Sequence, residues 1–116
     1  MKTIIAGSRT IEDYAVVEAA VVASGFAITE VISGRARGVD RLGERWAHTH
    51  NLPIARFPAD WKRYGRRAGP IRNNEMVGYA QALIAVWDGR SDGTHHIINA
   101  ARREGRKVFV YQAKGH

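Results

Sequence analysis

The pattern of hydrophobic positions predicts a chain that alternates between strands and helices. Five short segments are almost continuously apolar and rich in β-branched residues, as strands are when both faces of their sheet are covered. These segments are Thr3–Ala6, Ile28–Ser33, Ile54–Phe57, Ala82–Trp87 and Lys107–Tyr111. Between them, apolar residues recur with the 3.6-residue period of a helix. We therefore expect an α/β fold with helices on both faces of one sheet.

The helical period places a helix between successive strands. The inward positions are Tyr14, Val17, Val21 and Ser24 in the first helix, Val39, Leu42, Trp46 and His50 in the second, and Thr94, Ile97, Ile98 and Ala101 in the last. A further helix is expected over 70–80, because proline favours the first position of a helix and Pro70 opens this segment. Strands joined by helices run parallel through right-handed crossovers. The sequence thus predicts a single domain over residues 1–116, a Rossmann-like three-layer sandwich around a five-stranded, mainly parallel sheet.

Composition argues against several classes of protein. The 116 residues contain no cysteine, which excludes disulfides and thiolate metal sites. Four histidines lie in close pairs, His48 with His50 and His95 with His96, at spacings that do not suit joint metal ligation on a helix. No apolar run approaches the roughly 20 residues of a membrane span, and the chain begins with a strand rather than a signal peptide. We expect a cytoplasmic protein with no membrane partner, metal or cofactor.

The net charge of +7 predicts anionic partners. Basic residues concentrate in a first cluster, Arg35, Arg37, Arg41 and Arg45, and in a second, Lys62, Arg63, Arg66, Arg67 and Arg72. The second cluster also contains Trp61 and Tyr64. Aromatic rings among basic side chains suit stacking on bases beside a phosphate backbone. A lid packed over the third strand, with its charges in solvent, is the competing interpretation.

Polar, glycine-containing loops follow three of the predicted strands. They are Gly7–Arg9, Ser33–Asp40 and Asp88–Thr94. In an open parallel sheet, ligands bind beyond the carboxyl ends of the strands. There, glycine lets the backbone approach a ligand closely, and the helix that follows directs free N–H groups at an anion. Three such loops on one edge predict a phosphate site, to which hydroxyl groups and the charges of Arg9 and Arg72 would add hydrogen bonds.

The glycine spacing argues against two common nucleotide motifs. Gly34 and Gly38 are separated by three residues, which matches neither a Walker A loop nor the G-x-G-x-x-G fingerprint. No acidic residue ends the second or third strand, where one would hold a ribose. Both observations disfavour NAD binding and ATP hydrolysis.

The loop motifs resemble those of the SLOG superfamily. The run Ile32–Asp40 resembles the S-G-x-A-x-G-[IV]-D motif of the DNA-processing protein A family. Gly7–Arg9 and Arg72–Asn73 are similar to the G-S-R and R-N motifs of the same family. Asp88–Thr94 is similar to the loop that reads P-G-G-x-G-T in the Lonely Guy phosphoribohydrolases. Four motifs in the same order, over nearly the whole chain, imply the same fold.

The short, stand-alone form of the chain most resembles the YspA / cpYpsA-related branch, which is common in bacteria and phages. Ala59–Trp61 and Ala68–Asn73 carry this likeness. Superfamily members bind nucleotides or nucleotide-derived ligands, cleave cytokinin nucleotides or hold single-stranded DNA, and relatives commonly form homo-oligomers. Lonely Guy enzymes follow their glycine-threonine with a catalytic glutamate, whereas here Thr94 precedes His95, His96 and Ile97. This departure argues against N-glycosidic hydrolysis by the same mechanism.

The loops and the resemblance together nominate the ligand-binding residues. They are Gly7, Ser8, Arg9, Ser33, Gly34, Ala36, Gly38, Val39, Asp40, Arg72, Asn73, Asp88, Gly89, Ser91, Gly93 and Thr94. Asp40 has two interpretations, since an acid in the first turn of a helix complements the dipole but can also order the loop or accept bonds from a ribose or base. The candidate acid–base groups are Glu75, Asp40 and Asp88, and a histidine beside Thr94 is a candidate phosphate donor.

Three functions stay open on the sequence alone. The first is binding of a nucleotide or nucleotide-derived ligand, as a sensor, carrier or sequestering protein. The second is an enzyme that acts on the N-glycosidic or phosphate bond of a nucleotide. The third is a module that binds single-stranded DNA through the basic stretch Lys62–Arg67. We rank them in this order.

Overall fold

The computed structural model describes residues 1–113 and confirms the predicted Rossmann-like sandwich. The strands are β1 (Lys2–Gly7), β2 (Glu30–Ser33), β3 (Ile54–Arg56), β4 (Ala82–Trp87) and β5 (Lys107–Gln112). The helices are α1 (Tyr14–Ser24), α2 (Val39–Thr49), α3 (Trp61–Tyr64), α4 (Ala68–Tyr79) and α5 (Asp92–Arg103), with a 3-10 helix at Gly65–Arg67 between α3 and α4. Within residues 1–113, no helix is long and apolar enough to cross a membrane.

The five strands form one entirely parallel sheet in the order β3-β2-β1-β4-β5. In the central strand, Ile4 lies opposite Ile32 of β2 on one side and Leu83 of β4 on the other. The chain runs outward from β1 to β3 and then returns across the sheet to β4, so the strand order reverses between β1 and β4. Such a reversal opens a crevice at the carboxyl edge of a parallel sheet.

Helices cover both faces of the sheet. Because side chains alternate between faces along a strand, Ile4 and Leu83 pack in the layer with α4 and α5. Their neighbours Ile5 and Ile84 pack in the layer with α1 and α2. The middle positions of the inner strands therefore lie in one apolar layer or the other, which explains the continuously apolar segments in the sequence.

Several predicted element ends differ from those in the structure. β2 begins at Glu30 rather than Ile28, and β3 stops at Arg56 rather than Phe57. α4 begins at Ala68, so Pro70 is its third residue rather than its first. The missing N–H of Pro70 still falls among the first four of the helix, which have no intrahelical acceptor.

The prediction that His50 belongs to the inward face of α2 was wrong. Val39, Gly43 and Ala47 are buried there, whereas His50 lies beyond the helix, exposed, with its ring stacked 4.2 Å from that of Trp46. Trp46 itself is partly buried against the core, as predicted. The hydrophobic pattern missed Gly43, because a glycine carries no apolar signal although it is what lets the helix approach β1.

We expect Gly43→Ala to destabilise the fold. A Cβ at this position would lie 2.8 Å from two side-chain carbon atoms of Ile5, so α2 would have to move away from β1. Overpacking of this kind costs about 1–3 kcal/mol of unfolding free energy. Urea unfolding followed by circular dichroism measures the loss.

Gly78→Ala is the matched control, because it makes the same change in another helix. A Cβ at Gly78 would meet no atom within 4 Å. Alanine is the better helix former, so this variant should keep or gain up to about 1 kcal/mol. Equal stability of the two variants would contradict the close packing of α2 on β1.

Candidate functional site

The three glycine-containing loops meet around a cavity of about 400 Å³ at the carboxyl edge of the sheet. The end of β1 lies on one side of it, the first turn of α5 on another and α4 across the top. The lining residues are Ala6, Gly7, Arg9, Ala36, Asp40, Trp61, Gly69, Pro70, Arg72, Asn73, Met76, Ser91, Asp92, Gly93, Thr94, His96 and Ile97. The cavity therefore occupies the crevice where the strand order reverses between β1 and β4.

A second cavity of about 130 Å³ adjoins the first. The two share Arg9, Ala36, Trp61 and Arg72, and the smaller one adds Gly34, Arg35, Pro58 and Ala59. Trp61, the first residue of α3, is 51% exposed although it borders both cavities. This position agrees with a lid, and about half of the residue stays open to solvent.

Arg72, a residue of α4, lines both cavities. It is buried, its Nη1 donates to the carbonyl oxygen of Gly34, and its Nε donates to Asn73 Oδ1 at 3.0 Å. Burial lowers the pKa of Arg72, and the negative charge of Asp40 opposes that change. A Cβ at Gly34 would lie 2.7 Å from Arg72 Nη1, so the guanidinium reaches this carbonyl only because the residue is glycine.

Asp40 is a buried carboxylic acid in the cavity wall. It lies in the first turn of α2 and its Oδ2 accepts a hydrogen bond from the Ala36 N–H at 3.2 Å. Burial raises the pKa of Asp40 to about 6, although the Ala36 N–H and the charge of Arg72 act in the opposite direction. Asp40 is therefore a group that gains and loses a proton close to neutral pH.

Glu44 lies one turn after Asp40 in α2 and holds the loop after β2. It was not among the residues predicted from the sequence. Its carboxylate accepts hydrogen bonds from Ser33 Oγ at 2.6 Å, Arg35 Nη1 at 2.7 Å and Arg56 Nε at 3.1 Å. Burial acts to raise the pKa of Glu44, but these three bonds together lower it. The spacing from Asp40 is the signal that was available, since residues four apart share a helix face.

Other predicted residues hold the loops together instead of lining a cavity. Ser8 Oγ accepts from the Asp88 N–H at 3.0 Å, and Asp88 Oδ1 accepts from the N–H groups of Arg90 and Ser91 at 2.8 and 2.9 Å. These backbone bonds lower the pKa of Asp88. Gly38 has φ +75°, and a Cβ there would lie 2.4 Å from the carbonyl oxygen of Ser8.

Nine of the predicted ligand-binding residues line the larger cavity. They are Gly7, Arg9, Ala36, Asp40, Arg72, Asn73, Ser91, Gly93 and Thr94. Gly34 lines only the smaller one. Outside both lie Ser8, Ser33, Gly38, Val39, Asp88 and Gly89. Among the acid–base candidates, Asp40 is in the wall, whereas Asp88 and the exposed Glu75 are not. Ligand contact by any of these residues stays a prediction.

The first turn of α5 carries polar groups that are free to meet a ligand. Ser91 caps this helix, its Oγ accepting from the Thr94 N–H at 3.4 Å. Within the described residues, the N–H groups of Asp92 and Gly93 have no protein acceptor, and both residues line the larger cavity. The guanidinium of Arg9, which is exposed, likewise has no protein acceptor among residues 1–113. Such groups suit an anion.

Eight of the lining residues are absent from the predicted ligand-binding set. They are Ala6, Trp61, Gly69, Pro70, Met76, Asp92, His96 and Ile97. On α4, Gly69 and Met76 share a face with Arg72 at helical spacing, and that spacing could have found them. Asp92 lies inside a predicted loop, whereas Trp61 and a histidine beside Thr94 were nominated for other contacts. For Ala6, Pro70 and Ile97, only the folded chain brings them to the edge. Residues 1–113 contain no group of three or more His, Asp or Glu side chains placed to hold a metal ion.

We expect Asp40→Asn to become more stable relative to the unmodified chain as pH rises. A raised carboxyl pKa means that the folded state keeps its proton after the unfolded state has lost it, so ionisation of Asp40 destabilises the fold. With a pKa of about 6, this difference grows by about 2 kcal/mol between about pH 4.5 and about pH 7.5. Urea unfolding at the two pH values measures it.

Asp88→Asn is the control for the titration of Asp40. The pKa of Asp88 is lowered, so its stabilising effect is present above its unfolded pKa and is lost only in stronger acid. The stability of this variant relative to the unmodified chain should therefore be nearly the same at both pH values. A flat profile for Asp40→Asn as well would contradict a buried carboxylate in the cavity wall.

Comparisons with known proteins agree with this architecture. Residues 1–64 match the model of the YspA, cpYpsA-related SLOG family. The Gene 61 protein of Mycobacterium phage D29 is 37% identical over 90 residues, which cover 72% of each chain. The fold is similar to the X-ray structure of DNA processing protein A from Streptococcus pneumoniae, with a TM-score of 0.69 and 21% identity over 94% of this chain. The chain spans about half, 49%, of that longer structure. The chain belongs to the YspA, cpYpsA-related SLOG family.

Proposed function

We propose that this protein binds a nucleotide or nucleotide-derived ligand, with its phosphate at the first turn of α5. The carrying observation is the cavity at the strand-order reversal, which combines free backbone donors and an exposed arginine with apolar side chains such as Met76 and Ile97. A volume of about 400 Å³ falls within the range of small-molecule sites, about 300–1,000 Å³. The role that follows is that of a sensor, carrier or sequestering protein.

The lining of the larger cavity offers different groups to the phosphate and to the rest of a nucleotide. The N–H groups of Asp92 and Gly93 and the guanidinium of Arg9 supply donors for a phosphate. The carboxylate of Asp92 repels an anion, so the phosphate is placed against the backbone and not against that side chain. Met76 and Ile97 add apolar side chains to the lining, which suit a sugar or a base.

A thermal-shift screen tests this proposal directly. The probes are the ribonucleoside mono- and diphosphates, cyclic nucleotides, ADP-ribose and inorganic phosphate, with the mixtures analysed by chromatography afterwards. A ligand present at 1,000 times its Kd stabilises the fold by about 4 kcal/mol, which raises the melting temperature. A shift with a nucleotide that is recovered intact supports the binding function. No shift with any of the probes would contradict it.

We expect Arg9→Ala to weaken nucleotide binding without changing stability. Its side chain is exposed and borders both cavities, so its loss removes one charge-assisted bond to the phosphate. Such bonds are worth about 1.5–3 kcal/mol, or about 10-fold to 100-fold in Kd. Isothermal titration calorimetry measures the affinity.

Arg66→Ala is the control, since Arg66 is also exposed but lies outside both cavities. Equal losses in both variants would indicate a general charge effect and not a phosphate site.

Asp40 is the residue on which the enzyme alternative depends. It is the acid–base candidate in the cavity wall, and a pKa of about 6 suits proton transfer near neutral pH. If chromatography detects a product, Asp40→Asn should abolish its formation while a thermal shift with the same nucleotide remains. Turnover that persists in this variant would exclude Asp40 as the acid–base group.

A second candidate function is binding of single-stranded DNA. Its supporting observation is the surface formed by α3 and the 3-10 helix, where Trp61, Lys62, Arg63, Arg66 and Arg67 are all exposed. Within residues 1–113, none of these basic side chains forms an ion pair. Exposed aromatic and basic side chains together suit a flexible strand. The similar fold from Streptococcus pneumoniae is named a DNA processing protein, which agrees with this candidate.

Salt dependence distinguishes the two functions. If DNA is the ligand, the affinity for a labelled oligothymidylate should fall steeply with salt, by about 0.7 in log–log slope for each phosphate contact. Replacing Lys62, Arg63, Arg66 and Arg67 by alanine should lower that slope, whereas Arg9→Ala should change it by one contact at most. Fluorescence anisotropy measures both quantities. Affinity that is independent of salt, or unchanged in the fourfold variant, would contradict this candidate.

A further inference from the structure

A chain of hydrogen bonds connects His96 of α5 to the buried arginine. Arg72 Nε donates to Asn73 Oδ1 at 3.0 Å. The amide nitrogen of Asn73 lies 3.3 Å from the carbonyl oxygen of Gly93 and 3.2 Å from Nδ1 of His96. Asn73 and His96 both line the larger cavity. The chain therefore connects a fixed cation in α4 to an imidazole ring that faces the candidate ligand.

The donors and acceptors along this chain permit only one arrangement. An arginine Nε–H can only donate, so the Asn73 atom that faces it is the oxygen. The other amide atom is then the nitrogen, which also agrees with its contact to the carbonyl oxygen of Gly93. An amide nitrogen can only donate, so Nδ1 of His96 must accept and carries no proton. A neutral ring with a bare Nδ1 holds its proton on Nε2.

The Nε2 atom of His96 is free to meet a ligand. Within residues 1–113 it has no protein partner. It is also not among the buried side-chain atoms that lack a partner, so it remains accessible. Burial and the charge of Arg103 lower the pKa of His96, which keeps the ring neutral at neutral pH. The accessible group is thus an uncharged N–H donor.

We propose that Asn73 fixes His96 as the neutral tautomer protonated on Nε2, and that this N–H donates to an uncharged acceptor on the base of the bound nucleotide. The acceptor is a carbonyl oxygen or an unprotonated ring nitrogen of a heterocycle. This inference rests on the proposed nucleotide-binding function and assigns His96 as a residue that determines ligand specificity.

His96 lies one turn after Asp92, and its ring reaches back toward Gly93, because both contact the amide nitrogen of Asn73. It differs from the phosphate donors in its chemistry and in its apolar surroundings. Its neighbour Ile97 and Met76 of α4 form the apolar wall of the same cavity. An uncharged donor against an apolar wall suits a flat heterocycle with one or two acceptors better than a dianion.

The tautomer is tested without any ligand. Long-range ¹H–¹⁵N correlation spectra of histidine-labelled protein at neutral pH should show His96 with its proton on Nε2 alone. The His96 signals are assigned by their absence from the spectra of His96→Gln.

In Asn73→Asp the carboxylate accepts from Nδ1–H, so the proton should move to Nδ1 or the ring should become a cation. Circular dichroism establishes that this variant is folded. A mixture of tautomers in the unmodified chain, or an unchanged tautomer in folded Asn73→Asp, would overturn the assignment. If Asn73→Asp does not fold, the spectra of the unmodified chain alone test the tautomer of His96.

The role in specificity is tested by comparing nucleotides with ribose 5-phosphate, which lacks a base. In the unmodified chain, at least one ribonucleoside monophosphate should bind about 10-fold more tightly than ribose 5-phosphate. His96→Gln can place an amide N–H where Nε2–H was and should keep this preference, whereas His96→Asn reaches only the Nδ1 position and should lose it. The affinity for ribose 5-phosphate should be the same in all three proteins.

The outcomes separate the two proposals. Nucleotides that bind the three proteins equally would overturn the role of His96 and leave the binding function standing. If no nucleotide or ribose 5-phosphate binds the unmodified chain, the proposed function fails and the ligand contact fails with it. The spectra still decide whether Asn73 sets the tautomer.

Discussion

The burial of the Arg72 guanidinium is the constraint on which the rest of the site depends. A buried charge is costly unless its N–H groups are satisfied and an opposite charge lies near it. Here the Gly34 carbonyl and the Asn73 side chain accept its hydrogen bonds, and Asp40 supplies the charge. The Arg72 side chain therefore ties α4 to the loop after β2 and places its charge near Asp40 at the start of α2.

This constraint acts at the one edge of the sheet where the loops diverge. β1 and β4 themselves lie close together, since a Cβ at Gly7 would come within 1.9 Å of the Val86 carbonyl oxygen. Beyond these strands, the chain leads from β1 to α1 on one face of the sheet and from β4 to α5 on the other, which leaves the space that α4 and Trp61 border.

The fold was predictable from the sequence because it depends on local patterns. Continuously apolar strands and a 3.6-residue period gave the element types, and the glycine loops gave the edge at which a site would form.

The site itself was only partly predictable. Asp40 and Arg72 stood out in motifs, but α2 and α4 lie on opposite faces of the sheet, and no local pattern shows that these two side chains meet at its edge. Glu44 resembled an ordinary surface acid until the fold brought Arg35 to it from the loop after β2 and Arg56 from β3. The sequence nominated a histidine beside Thr94 as a phosphate donor, but it could not show which one lines the cavity or that His96 contacts Asn73 in another helix.

The polar groups at the cavity differ in whether the protein already satisfies them. Asn73 bonds to protein partners, and so do the Nη1 and Nε atoms of Arg72, so these groups shape the walls. Arg9, the first N–H groups of α5 and Nε2 of His96 have no protein partner within residues 1–113. The first two carry positive charge or partial charge, whereas the third is an uncharged donor in the same cavity lining as Ile97 and Met76. A ligand that satisfies all three needs both an anionic group and an uncharged heterocyclic acceptor. A nucleotide has both, whereas free phosphate lacks the second.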